Sequence, residues 1–356
     1  MPADRQSPLA RHLFVAYALL VIYASLYPFT GWRTQGLPPF SFLAAPFPRP
    51  ISAFDVVVNV IGYMPLGFFA VLAADPVLRG KGAFALGALS SLLLSFALES
   101  LQLYLPTRTS SNLDLLTNVA GGSLGAATAL AAIRPLLREG RLRTLRNRTF
   151  LGGSRIDLGL VLLAFWLFAQ LYPGALLFGT GDLRDLVRSP SGKLYPAELF
   201  LEVEAGVACA NGLAAGLLAS CLTGRGQHAR SVVIALTAAA LAVHGLAYGL
   251  LVGPQNSLDW VTPGAVYGVA AGIALLMPAV ALRPPVRLAL TGVALLAATA
   301  LVNLAPANPY TSATLALWQQ GHFLNFNGVT RFVSVVWPFA AMAYLVLLAG
   351  GHEAAG

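Results

Sequence analysis

Charge is what this sequence has least of. Only 10% of its 356 residues are charged, against 57% hydrophobic, and the mean hydropathy is +0.72. A soluble globular domain carries roughly 25% charged residues. A chain this poor in charge cannot cover its own surface with polar groups, so lipid must be its solvent. Cysteine is nearly absent too. Cys209 and Cys221 fall on one predicted helix. At a rise of about 1.5 Å per residue they stand roughly 18 Å apart, too far for a disulfide. Both read as small apolar residues. No Cys/His spacing points to a metal site, and no phosphate loop or other cofactor motif is present, so no cofactor is expected.

What the chain does have is long apolar runs. Closed β-barrels are the alternative way to span a bilayer, but their strands alternate polar and apolar residues over about ten positions. Here the runs reach about twenty residues without alternation, the length of a membrane-crossing helix. The fold expected is therefore an all-α, polytopic transmembrane helix bundle. Spans are predicted at about 13–30, 54–73, 83–105, 113–133, 156–178, 199–221, 231–252, 262–282, 288–306 and 329–349. The first run could pass for a signal peptide. It lacks a small-residue cleavage site and ends in bulky Tyr27-Pro28-Phe29, so an uncleaved first span is the better reading.

The net charge of +8 would suggest nucleic acid in a soluble protein. In this setting it records topology, since Lys and Arg collect in cytoplasmic loops. With a cytoplasmic start, 15 of the 22 basic residues fall inside, seven of them in the stretch 134–155. An even number of spans returns the C-terminus inside as well. The stretch 136–155 reads as an arginine-rich cytoplasmic linker that meets anionic lipid heads. It divides a four-span region (1–135) from a second four-span region (156–287), with two further spans and an outer loop over 288–356. Tyr27, Trp32, Tyr104, Tyr172, Trp260, Tyr310 and Trp318 gather at predicted outer ends, as in an interfacial aromatic belt.

A faint repeat relates the two four-span regions. Leu26-Tyr27-Pro28 recurs as Leu171-Tyr172-Pro173, Leu113-Asp114 as Leu258-Asp259, and Thr117 as Thr262, all at an offset of 145 residues. An even number of spans in each copy makes such a repeat parallel.

Ionisable residues inside a span are costly and by default suggest function. The second span opens with Asp55 and Asn59, four apart and so on one face. The third carries Glu99 and Gln102, with Glu99 roughly 9 Å short of its end. The loop that follows contains Arg108, and the fourth span re-enters with Asp114 and Asn118. All seven fall in the predicted outer half of the membrane. They are expected to form an outward-opening polar pocket in which Arg108 offsets several carboxylates. A structural network holding three helices together is the plainer alternative. Gly121 and Gly125 form a small-xxx-small pattern that permits close helix contact. Gly62, Pro65 and Gly67 weaken the second span midway, either for packing or as a hinge.

The order Glu99-x-x-Gln102, Arg108, Asp114, Asn118 and Gly122, preceded by Asp55-x-x-x-Asn59 and Pro65-Leu66-Gly67, resembles the VanZ-like family of bacterial membrane proteins. The resemblance covers about residues 10–135. The runs Asn308-Pro309-Tyr310, Trp318-Gln319-Gln320-Gly321 and Asn325-Phe326-Asn327-Gly328 look like the longer members of that family. The resemblance implies a multi-pass cell-envelope protein of the bacterial cytoplasmic membrane. The family's namesake is associated with resistance to the lipoglycopeptide teicoplanin. The second region departs from the pattern. At the 145 offset His244 stands for Glu99, Ala247 for Gln102, Gly253 for Arg108 and Pro263 for Asn118, while Asp259 keeps its identity. That region reads as a scaffold with scattered polar groups (Glu202, Glu204, His244, Asn303, Arg331). Taken alone, His244 is an ordinary hydrogen-bonded structural histidine.

Three functions compete. The leading one is an envelope protein, without an assigned reaction, whose outward pocket binds an amphiphilic ligand. A lipid-linked cell-wall precursor or a lipoglycopeptide such as teicoplanin would suit it. Arg108 would then meet an anionic head group, oriented by Asn59, Gln102 and Asn118. The second is an intramembrane enzyme using Glu99 and Asp114 as an acid/base pair on a lipid-linked substrate. The third is a lipid transporter or flippase. Membrane lipids are the expected partners in each case, and nucleic acid is not.

Overall fold

The computed structural model describes residues 8–75, 77–132, 141–184, 195–223, 227–306, 308 and 324–353. Among these the regular structure is helical, with α1 (Pro8–Leu26), α2 (Ser41–Ala44), α3 (Ala53–Ala74), α4 (Lys81–Gln102), α5 (Asn112–Ala132) and α6 (Arg141–Thr149). There follow α7 (Ser154–Ala169), α8 (Ala197–Leu222), α9 (Gln227–Leu251), α10 (Pro263–Ala279), α11 (Pro284–Leu304) and α12 (Leu324–Glu353). Each of the ten predicted spans corresponds to one of these helices. Eight are long and apolar enough to cross a membrane. The other two, α7 and α10, have 16 and 17 residues. Arg5, Arg134, Arg138, Arg188, Lys193 and Arg225 lie outside the described residues. So does most of the predicted outer loop 307–328, including Tyr310 and Trp318-Gln319-Gln320-Gly321.

Hydrophobic side chains line the outside as well as the inside. Ile61 of α3, Leu93 of α4 and Leu116 of α5 are about 60% exposed. In water, apolar surface on this scale would drive aggregation; in a bilayer it is the lipid-facing surface. The chain is thus a multi-pass membrane protein.

Two compact units divide at Asn147/Arg148. In the first, α3 and α5 make the closest contact. A Cβ added at Gly121 would overlap the carbonyl of Val60, one at Gly125 that of Met64, and one at Gly67 that of Gly122. Lipid supplies no hydrophobic drive between helices, so close backbone approach between small residues is what joins them. Gly67 is therefore a packing position, whereas Gly62 faces open space. α4 closes the sandwich, with Ser91 against Gly122. α1 packs alongside through Val21, Leu26, Tyr63, Leu66 and Leu98. The ends of α1 and α4 and the starts of α3 and α5 share one end of this unit. The chain between α1 and α3 lies over that end, with Arg33 N–H on the Tyr104 carbonyl at 2.9 Å and Phe40 stacked on Phe96 at 5.3 Å.

The second unit is built around α8, the most buried of the spans among the described residues. Its core joins Trp166, Phe178, Leu218, Leu295, Trp337 and Tyr344 from five segments. Trp337 Nε1 donates to the Leu162 carbonyl at 2.7 Å, and Tyr344 Oη to that of Arg155 at 3.0 Å. The last two spans, α11 and α12, belong to this core. Arg287, in the first turn of α11, is 4% exposed and donates to the Ser220 carbonyl at 2.6 Å. It thereby neutralises the negative C-terminal end of α8.

The fifth predicted span does not run its full length as a helix. α7 stops at Ala169, and residues 170–183 continue as buried, irregular chain containing Pro173, Gly174, Gly179 and Gly181. Such backbone is tolerated in a membrane protein only where other protein groups satisfy it. Here Gly181 N–H donates to the Ser334 carbonyl (2.8 Å), Asn303 Nδ2 to the Gly181 carbonyl (2.7 Å), and Leu183 N–H to Asn303 Oδ1 (2.8 Å). Arg184 grips the Asp182 carboxylate through Nε (2.9 Å) and a second guanidinium nitrogen (2.7 Å). Burial would raise the Asp182 pKa, but the Arg184 guanidinium more than reverses this and holds it below the usual value.

The glycine contacts give a direct test. Gly125→Val should destabilise the protein by about 1–3 kcal/mol, because the added side chain forces α3 and α5 apart. Gly62→Ala, in open space on the same pair of helices, should be neutral or slightly stabilising. Denaturant unfolding of the purified variants would measure both.

Candidate functional site

The seven predicted site residues gather at the shared end of the first unit, but they do not form one cluster. The first set holds the end of α1. Gln102 Nε2 donates to the Ser25 carbonyl at 2.9 Å. Arg108 donates to the Tyr27 carbonyl through Nε (3.1 Å) and Nη2 (2.6 Å), and to the Ala24 carbonyl through Nη2 (3.0 Å). The last carbonyls of a helix have no partner within it, so a guanidinium there satisfies both charge and hydrogen bonds. Burial lowers the Arg108 pKa from its ordinary value, while arginine remains charged at any physiological pH.

The second set is acidic. Asn59 of α3 donates to Asp114 Oδ1 of α5 at 2.9 Å. The close contact at Gly121 and Gly125 brings these two helices near enough for that bond. Glu99 of α4 is 4% exposed, and its Oε2 accepts from the backbone N–H of Ser111 at 2.8 Å. Ser110 Oγ donates to the Glu99 carbonyl at 2.6 Å, which fixes the loop over the carboxylate. Asp114 lies within electrostatic range of both Glu99 and Asp55. Asp55 is exposed, and its backbone N–H is capped by Ser52 Oγ. Neither Glu99 nor Asp114 has a cationic partner among the described residues. Asn118 stands one turn deeper. Its Nδ2 donates to Ser95 Oγ at 3.0 Å, and its buried Oδ1 has no partner among the described residues.

A further set of residues escaped the sequence reading. In the second unit Glu204, His244, Tyr248, Asp259, Trp260 and Thr262 line a cavity of about 100 Å³ beside the irregular segment at Ala175–Leu177. Glu204 had stood only as one scattered polar group among several. The offset of 145 that pairs Asp114 with Asp259 also pairs Asn59 with Glu204, which a search by residue identity passes over.

An all-α bundle of membrane-crossing helices with acidic groups buried at one end defines the broad class. Residues 14–134 match the model of the VanZ/LLP1 family. The match lies within the first unit, so about a third of this membrane protein is a VanZ-like region. No curated protein and no solved structure matches the chain.

Removing the α1 clamp should be locally visible. Arg108→Gln loses charge-assisted bonds worth roughly 1.5–3 kcal/mol. Amide hydrogen exchange over residues 22–29 should then quicken while the core of α5 stays protected. Unchanged exchange at the end of α1 would show that the clamp is dispensable.

Proposed function

We propose that this is a multi-pass protein of the bacterial cytoplasmic membrane whose VanZ-like unit binds the head group of an envelope amphiphile. The observation that carries the reading is the Glu99–Asp114 pair, two neighbouring carboxylates with no cationic partner among the described residues. Leaving such charges in a poorly solvated site is costly unless something completes them. Glu99 Oε1 and Asp114 Oδ2 are the atoms with open acceptor capacity, and Asn59 fixes the second carboxylate. A partner for them is rich in donors. The hydroxyls and amides of a lipid-linked saccharide–peptide precursor fit that description, and so do those of a lipoglycopeptide such as teicoplanin.

This shifts the weight of recognition away from Arg108. Its guanidinium is committed to the end of α1, so it positions the wall of the site, and the carboxylates make the contact. A second reading rests on the same pair. Two interacting carboxylates, one of them buried, are also what a general acid/base enzyme would use.

Binding of a fluorescent lipid-linked disaccharide–pentapeptide and of teicoplanin to the purified full-length protein separates these readings. Glu99→Gln and Asp114→Asn should each weaken binding at least tenfold with membrane abundance unchanged. Equal binding by both variants would refute the proposal. Conversion of the labelled lipid to product, lost in Glu99→Gln, would favour the enzyme.

A further inference from the structure

The cavity of the second unit has its own chemistry. His244 is 1% exposed. Its Nδ1 lies 3.0 Å from the Gln170 carbonyl, which can only accept, so Nδ1 carries a proton. In the neutral ring Nε2 then presents a lone pair, and no described residue donates to it. The ring is held between Tyr248, at 5.3 Å, and Trp260, at 5.5 Å and edge-on. Tyr248 Oη is tied to the Pro173 carbonyl (3.3 Å) and Trp260 Nε1 to that of Ser257 (2.9 Å), so both aromatic walls are fixed.

Two carboxylates complete the lining. Glu204 is aimed by Thr262 Oγ1, which donates to Oε2 at 2.6 Å, and by Asn308 Nδ2, which donates to Oε1 at 2.9 Å. Each carboxylate oxygen keeps a second acceptor site. Asp259 is exposed at the margin. Among the described residues no lysine or arginine lines the cavity, and none occurs in the sequence from Ala305 to Phe326. Two carboxylates, a bare imidazole nitrogen and two aromatic rings therefore line a space of about 100 Å³.

We propose that this cavity binds a primary ammonium group. Glu204 and Asp259 supply the opposing charge, and His244 Nε2 accepts one N–H. Trp260 and Tyr248 offer ring faces to the cation. The lone pair on Nε2 is what selects a primary ammonium over a quaternary one, which has no N–H to give. The same chemistry can arrive on a free alkylamine or on an aminoethyl phosphate lipid head group.

The packing of the unit supports a built site. Gly268 of α10 faces the Ala205 carbonyl of α8 much as Gly121 of α5 faces that of Val60 on α3, and Gly272 faces Cys209 as Gly125 faces Met64. On α8 these contacts keep the 145 offset, so Glu204 occupies the place of Asn59. On α10 the glycines sit two residues later. Correspondingly, Asp259 precedes its helix, whereas Asp114 lies in the first turn of α5. The helix contacts thus put Glu204 in the place of Asn59, while His244 and Asp259 correspond to Glu99 and Asp114 by the sequence offset alone.

Calorimetric titration of the full-length protein in a maltoside detergent and phosphate buffer, with ethanolamine and with choline, tests the selectivity. Native mass spectrometry from nanodiscs of phosphatidylethanolamine or phosphatidylcholine tests the lipid source. Ethanolamine, the ethanolamine lipid, or both should bind, with choline and its lipid at least tenfold weaker. Glu204→Gln and the exposed-site Asp259→Asn should each weaken the amine at least tenfold. Glu99→Gln should leave it unchanged, which separates this site from that of the first unit. Binding only of the free amine or only of the lipid identifies the source and supports the site. No amine binding, equal choline binding, or retention in a well-folded Asp259→Asn would overturn it.

Discussion

The first unit depends on two helices touching backbone to backbone. With lipid on the outside, burying apolar side chains between helices gains little, because the acyl chains already solvate them. Gly121 and Gly125 remove the side chains that would hold α5 off α3, and the carbonyls of Val60 and Met64 fill the space. Everything polar in the unit follows from that approach. Asn59 reaches Asp114 because the helices are this close, and Asn118 is pressed toward Ser95 on α4 for the same reason. The small-residue contact is therefore also a device for placing acidic groups where water is scarce.

Much of this was legible in the sequence. Hydropathy located ten helices, eight of them long and apolar enough to cross a membrane, because lipid imposes a length and a composition that few other constraints imitate. The i, i+4 spacing of Gly121 and Gly125 marked a contact face, and the spacing of Asp55, Asn59, Asp114 and Asn118 placed them at one end of the bundle. The partner of each group was not legible. Arg108 looked like a counter-ion for the carboxylates, yet its hydrogen bonds run to Ala24 and Tyr27, since the open carbonyls at a helix end attract a guanidinium as strongly as an acid does. A hydropathy plot sees side chains and is blind to such backbone acceptors.

The second unit was harder to read for a related reason. Its α7 was taken as a full span because Leu171, Leu176, Leu177 and Phe178 keep the hydropathy high, although Pro173, Gly174, Gly179 and Gly181 carried the opposite signal. Glu204 was undervalued because comparison by identity cannot match a glutamate to an asparagine. The cavity lining, rather than residue identity, is what brings Glu204 forward. The two units share one kind of helix contact, glycines of one helix against the backbone of another.

The irregular segment after α7 carries a consequence for how the protein is made. The groups that satisfy the backbone of Gly181 come from Asn303 and Ser334, more than a hundred residues downstream. When the ribosome has finished this segment, neither partner yet exists. Its peptide groups must therefore wait in water, in the insertion machinery or at the bilayer surface until α11 and α12 arrive. The second unit is thus completed only when its C-terminal helices arrive, and a nascent chain cut short before Ser334 leaves the segment without its final hydrogen bonds. Such truncated chains would be recognisable to membrane quality control by that exposed backbone alone.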